Sequence, residues 1–196
     1  MKIALIGDSI LDNEEYTGKE DCVFTKVRQK LPEFEVVNFA EDGITSLDIN
    51  EQLENAKTEV CKWDYAFLSV GGNDLLENQE CLLTADINEI HKVIESICTR
   101  VASIYSMLHA DFNKVILITP YLPVFDGIDE AYVSKVHQIV KVFNEQLKCT
   151  PHITYLELHP ILNSKEDFIN HIEPSKYGSE KIASLIEKVV RNSMGS

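Results

Sequence analysis

An alternation of two periods does most to narrow the folds open to this chain. Short aliphatic or β-branched runs at Lys2–Ile6, Glu35–Asn38, Tyr65–Val70, Lys114–Thr119 and Ile153–Leu156 have the length of buried strands. Longer segments of helical period separate them. The clearest is Ile87–Leu108, where Ile87, Ile90, Val93, Ile94, Ile97, Val101, Ile104 and Leu108 share one apolar stripe. Further helices are expected at Cys22–Leu31, Ser46–Lys57, Ala131–Lys148 and Tyr177–Asn192. Connections this long are crossovers rather than hairpins, so the strands should lie parallel with helices on both faces. The expected fold class is α/β, a three-layer α/β/α sandwich around a central, mainly parallel five-stranded sheet. No linker or repeat interrupts it, and 196 residues with 44% hydrophobic content suit one core, so residues 1–196 are read as a single domain.

Charge and composition exclude several functions. A formal net charge of -14 repels a phosphate backbone, so nucleic acid is not an expected partner. No apolar run is long enough to span a membrane, and KIALIG follows Met1 without the longer apolar stretch of a signal peptide, so a soluble, cytoplasmic protein is expected. Cys22, Cys61, Cys81, Cys98 and Cys149 are scattered and never spaced C-x-x-C, and read as buried or half-buried free thiols. The six histidines form no H-x-x-x-H pair, so no metal is expected.

An open parallel sheet binds ligands beyond the carboxyl ends of its strands. The loops there read GDSILDN, AEDGITS, GGND and TPYLPVFDG. In the first, a glycine turn can lift the Ser9 hydroxyl to the sheet rim, where it could attack a carbonyl if a base is near; a plain strand-ending turn is the simpler alternative. Gly43 offers a backbone N–H and Asn73 a side-chain amide, donor types that suit a developing oxyanion, with the Ser9 N–H as a third. Each could also be only a turn or a helix cap. Asp8, Asp12, Asn13 and Asp74 flank these positions and read as structural supports.

In this order, after these strands, GDSILDN, DGITS and GGND resemble the first three sequence blocks of the SGNH or GDSL family of hydrolases, which includes lipases, esterases and thioesterases. The resemblance spans nearly the whole chain. It implies the flavodoxin-like form of the sandwich, a nucleophilic Ser9, an oxyanion hole from Gly43 and Asn73, and no cofactor. The fourth block departs from the pattern. The family has Asp-x-x-His-Pro ahead of a glycine and the last helix; aligning NHIEPSKYG on Pro174 and Gly178 puts Glu173 at the histidine and Asn170 at the aspartate.

Three readings stay open. Glu173 itself takes the serine proton, starting from a pKa of about 4.3, about two units below histidine's, a handicap of about 3 kcal/mol unless burial raises it. Asn170 would then hold it by a hydrogen bond. Alternatively His171 is the base, oriented by Glu173. An extended backbone aligns 171 with 173 and polyproline II aligns 170 with 173, so the sequence does not choose. In the third reading hydrolysis is lost and the crevice only binds. Acyl transfer would use the same residues.

The apolar loop after the fourth run places Tyr121, Leu122 and Phe125 where they could line an acyl or aromatic pocket, or simply pack on the sheet end. Trp63 is expected to precede the third strand and to pack. The expected activity is hydrolysis of a small, neutral carboxylic ester through an acyl-serine intermediate.

Overall fold

The computed structural model describes residues 1–59 and 62–194. Strands β1 (Lys2–Gly7), β2 (Glu35–Asn38), β3 (Trp63–Ser69), β4 (Phe112–Thr119) and β5 (Tyr155–Glu157) form one sheet in the order β2-β1-β3-β4-β5. All four pairings are parallel. Ile3 sits opposite Val36 on one side and Tyr65 on the other, and Ser69 lies between Gly7 and Ile118. The chain leaves β1 toward β2 on one side and returns to β3 on the other. The carboxyl ends of β1 and β3 therefore splay at the topological switch point, where an open α/β sheet leaves a crevice.

The strand period of two divides the side chains between two cores. Ile3, Leu5, Tyr65, Phe67, Ile116 and Ile118 face helices α2 (Val23–Lys30) and α8 (Lys176–Met194), meeting Val23, Val27, Ile182, Ile186 and Val190. Ala4, Ile6, Ala66, Leu68, Val115 and Leu117 point the other way, toward α3 (Asn50–Glu59), α6 (Ile87–Leu108) and α7 (Glu130–Lys148), meeting Leu53, Ile94, Val101, Val140 and Phe143. Ile3 to Ile6 are all fully buried. Each large aliphatic side chain so covered is stabilising by about 1.5–3 kcal/mol. The helices start where local chemistry allows: Asp86 and Glu89 form a capping box on α6, and Asp129 caps α7 through the Tyr132 N–H.

Several boundaries shift for identifiable reasons. β3 begins at Trp63, which pairs with Phe112 and stacks on its ring, so this tryptophan opens the strand rather than preceding it. α3 begins at Asn50, not Ser46, because Thr45 bonds Asp48 in a turn and Ser46 is drawn to Asp74. β5 occupies Tyr155–Glu157, after a turn in which His152 has φ of 67°. Short helices α1 (Glu14–Thr17), α4 (Gly72–Glu77) and α5 (Gln79–Thr84) lie in stretches where no helix is expected. Near the last helix, two-residue strands β6 (Phe168–Ile169) and β7 (Glu173–Pro174) pair antiparallel.

Among the described residues, no helix is long and apolar enough to cross a membrane. Cys22 and Cys98 are buried free thiols, whereas Cys81 and Cys149 are exposed, contrary to expectation, because they sit on the outer side of α5 and just after α7. Cys61 lies outside the described residues.

Candidate active site

β1 ends on Gly7, whose φ of 134° and closeness to β3 both demand glycine: a Cβ there would fall on the Ser69 carbonyl. The Gln52 side chain of α3 holds both backbone polar groups of Gly7, accepting from Gly7 N at 2.7 Å and donating to Gly7 O at 2.9 Å. Asp8 then turns inward. Its Oδ1 accepts from Ser69 Oγ at 2.6 Å and from Ile10 N at 3.2 Å. This turn delivers Ser9, 8% exposed, to the wall of a cavity of about 180 Å³ that Asp8, Asn73, Tyr121 and Glu173 also line.

Glu173 arrives from β7. Burial raises its carboxyl above the ordinary glutamate range; the Ser9 hydroxyl pulls it partly back, and the negative charge of Asp42 pushes it up again. The serine does not saturate the carboxylate, since Glu173 Oε2 is buried without a hydrogen-bond partner. Asp8 is pushed up to about 7, first by burial and also by the Glu173 charge, against the hydrogen bonds from Ser69 and Ile10. Tyr121 donates its hydroxyl to the Ile172 carbonyl. Its phenol is held well above the usual range by burial and by the charges of Glu173 and Asp8. Ser9 thus sits among a buried acid, Asp8, a half-buried one, Glu173, and a phenol that stays protonated.

On the opposite side, Asn73 in the first turn of α4 donates one amide N–H to the Ile44 carbonyl at 2.8 Å, leaving its second N–H. That bond joins α4 to the loop of Gly43, an exposed residue with φ of 81° that does not line the cavity. A buried clamp reinforces the joint. Asp74 accepts from Ser46 N at 2.8 Å, Ser46 Oγ at 2.5 Å and Arg100 Nη2 at 3.0 Å, while Arg100 Nε reaches Ser46 Oγ at 2.8 Å. Arg100 and Ser46 were not singled out in the sequence; an arginine on the polar side of a helix carries no signal until the fold brings Asp74 beneath it. Arg100→Ala leaves a buried carboxylate short of its cation, and urea unfolding is expected to show a loss of about 2 kcal/mol.

The supports around Ser9 tie the site's loops together. Asp12 accepts from Asn38 Nδ2 at 3.4 Å and Asp42 N at 3.2 Å. Asn13, fully buried, donates to the Pro174 carbonyl at 3.0 Å and Ser179 Oγ at 2.7 Å, and accepts from Val23 N at 2.9 Å. The serine loop and the Glu173 strand are thereby held by one side chain.

Other expected site residues stand apart. Asn170 and His171 form the tip of the β6–β7 hairpin with φ of 52° and 71°, left-handed conformations rather than the extended or polyproline II alternatives. Asn170 is exposed and, among the described residues, makes no hydrogen bond to Glu173. His171 Nδ1 lies 3.3 Å from the Val124 carbonyl, its ring packs on Phe125, and it does not line the cavity. Leu122 packs against the β3–β4 core rather than lining the cavity, which Tyr121 and Phe125 do line. The remaining wall comes from α4, α5 and α7, helices whose inner faces were not foreseen as part of a site; the repeated leucines of NDLLENQECLLT were the available signal. Among the described residues, no group of three His, Cys, Asp or Glu side chains is arranged to hold a metal ion.

An open 2-1-3-4-5 parallel sheet with a GDS turn at the switch point, and Asn73 facing the same cavity as Ser9, is the architecture of an SGNH hydrolase, with Glu173 on the cavity wall where the family pattern has histidine. The chain belongs to the GDSL-like Lipase/Acylhydrolase family, whose model matches residues 5–176. It is 26% identical over 183 residues to the uncharacterized protein YpmR of Bacillus subtilis (strain 168), covering 84% of this chain and 69% of that one. Its fold is similar to a member of the lipolytic G-D-S-L family from Veillonella parvula, with a TM-score of 0.75, 17% identity and coverage of 96% and 97% of the two chains. It is also similar to Axe2, an acetylxylan esterase from Geobacillus stearothermophilus, with a TM-score of 0.63, 18% identity and coverage of 95% and 92%.

Proposed function

We propose that the protein hydrolyses a neutral carboxylic ester through an acyl-serine intermediate, with Ser9 as nucleophile and Glu173 as general base. The observation that carries this reading is the half-buried Glu173 carboxylate on the same cavity wall as Ser9, held above the ordinary glutamate range by burial, with its buried Oε2 unpaired. Ser9 Oγ attacks the ester carbonyl as Glu173 takes the hydroxyl proton. The oxyanion is received by the Ser9 N–H and the second Asn73 N–H, both of which belong to residues lining the cavity, whereas the expected Gly43 donor does not line it. Collapse breaks the ester bond, and Glu173 returns the proton to the departing alcohol. Water then repeats the sequence on the acyl-serine, releasing the acid and restoring both groups. Tyr121 and Phe125 contact the substrate, and the steps call on no cofactor.

His171 is the weaker candidate for the base, because its ring is occupied by Val124 and Phe125. The excess of 14 negative charges favours neutral over anionic substrates. The name of the Geobacillus protein points to acetyl esters for that enzyme, and the ester bond is the part of that chemistry proposed for this chain. A fluorophosphonate, which captures activated serines, tests the reading. Mass spectrometry is expected to find one adduct, on the peptide holding Ser9, formed at least about tenfold more slowly in Glu173→Gln. An adduct elsewhere, or none on folded protein, counts against it.

A further inference from the structure

The cavity beside Ser9 extends well past the reacting centre. Its side walls are two helical faces turned toward each other. Leu75 and Leu82 come from α4 and α5, while Tyr132, Val136, Ile139 and Val140 recur at i, i+4, i+7 and i+8 along α7. Leu75, Leu82, Ile139 and Val140 are buried; of the two amides on these walls, Asn73 sits at the end beside Ser9 and Gln79 is on an exposed residue. Such walls offer a sugar almost nothing to hydrogen-bond, and a hydrocarbon tail close contact on both sides.

Size sets the length. An apolar cavity of about 150 Å³ takes a six-carbon ring. This one is about 180 Å³, and an acetyl methyl would leave most of it empty. Resting on the hydrolase reading above, we infer that the site takes esters of aliphatic acids of about six to eight carbons, the tail lying between α4–α5 and α7. The tail belongs to the acid rather than the alcohol. The alcohol leaves first and needs an open path, whereas the acyl group stays on Ser9 through both steps and can occupy an enclosed slot.

The test is a chain-length series of p-nitrophenyl esters, from acetate through butyrate, hexanoate and octanoate to dodecanoate, with Ser9→Ala as the blank. Burial of one methylene corresponds to about a fourfold gain, so kcat/KM is expected to rise at least about tenfold from acetate to hexanoate and to fall again by dodecanoate. Val136→Phe, which fills the slot at a half-buried wall position, is expected to cut the hexanoate-to-acetate ratio at least about tenfold. Should it not fold, Val136→Ala is expected to move the optimum to longer chains. Of two isomeric esters, ethyl hexanoate is expected to be cleaved faster than hexyl acetate; the reverse order overturns the acid-side assignment.

A readout without turnover separates this inference from the hydrolase reading: displacement by octan-1-ol of anilinonaphthalene sulfonate bound to Ser9→Ala. Ser9-dependent cleavage that is fastest on acetate and indifferent to Val136→Phe overturns the tail slot and leaves the hydrolase standing. Displacement that Val136→Phe abolishes, with no Ser9-dependent cleavage of any ester, supports the slot and removes the hydrolase. Neither displacement nor chain-length dependence removes the slot outright.

Discussion

Turnover of p-nitrophenyl butyrate is expected to fall at least about 1,000-fold in Ser9→Ala and at least about 100-fold in Glu173→Gln, and to stay within about twofold in His171→Ala. The glutamine keeps the shape of Glu173 but cannot accept the serine proton, so its loss falls on kcat. Because serine and base act as a unit, the double variant should be little worse than Ser9→Ala. The pH profile gives a second check. Glu173 must be ionised to work, so kcat/KM should rise with pH through a limb set by its carboxyl, which burial and Asp42 hold above the ordinary range against the pull of Ser9. Asp42→Asn removes one of those causes and should move the limb to lower pH. If His171→Ala abolishes turnover while Glu173→Gln does not, the assignment of the base is wrong.

Asp8→Asn is expected to stabilise the folded protein at pH 8, by on the order of 4 kcal/mol relative to wild type, with the difference vanishing near pH 4. Asp8 is raised from 3.8 to about 7 in the folded state, chiefly by burial. A group raised in this way favours folding below its unfolded pKa and loses that contribution as pH climbs through the folded value. The window is therefore about pH 4 to 7. Asparagine imitates the protonated acid, can still accept from Ser69 and Ile10, and does not titrate. Urea unfolding of both proteins across that range checks the point. A stability difference that is flat with pH would show that Asp8 does not titrate in this window.

The sheet and its main helices were legible because buried parallel strands and amphipathic helices write their periods directly into sequence; α6 was placed to the residue. What was missed lacks such a period. β6 and β7 are two residues each, and α4 and α5 open on Gly72 and Gln79, with Asn78 between them. Ser9, Asn73 and Glu173 were singled out because each follows a strand or sits at a fixed offset from Pro174, and all three line one cavity. The geometry at Asn170 and His171 was not legible because the choice lay in backbone dihedrals: two consecutive left-handed residues form the hairpin tip, and no composition rule distinguishes that from an extended run. The Asp74 clamp shows the same limit at longer range, since Arg100 meets Ser46 only after α6 has packed.

The bond from Asn13 to the Pro174 carbonyl spans 161 positions of the chain. During synthesis, a ribosome delivers Ser9 early and Glu173 late. Until α8 docks and Asn13 finds Pro174 and Ser179, the growing chain carries the Ser9 turn without Glu173 held near it. The cavity beside Ser9 is thus assembled only once segments far apart in the chain have both emerged.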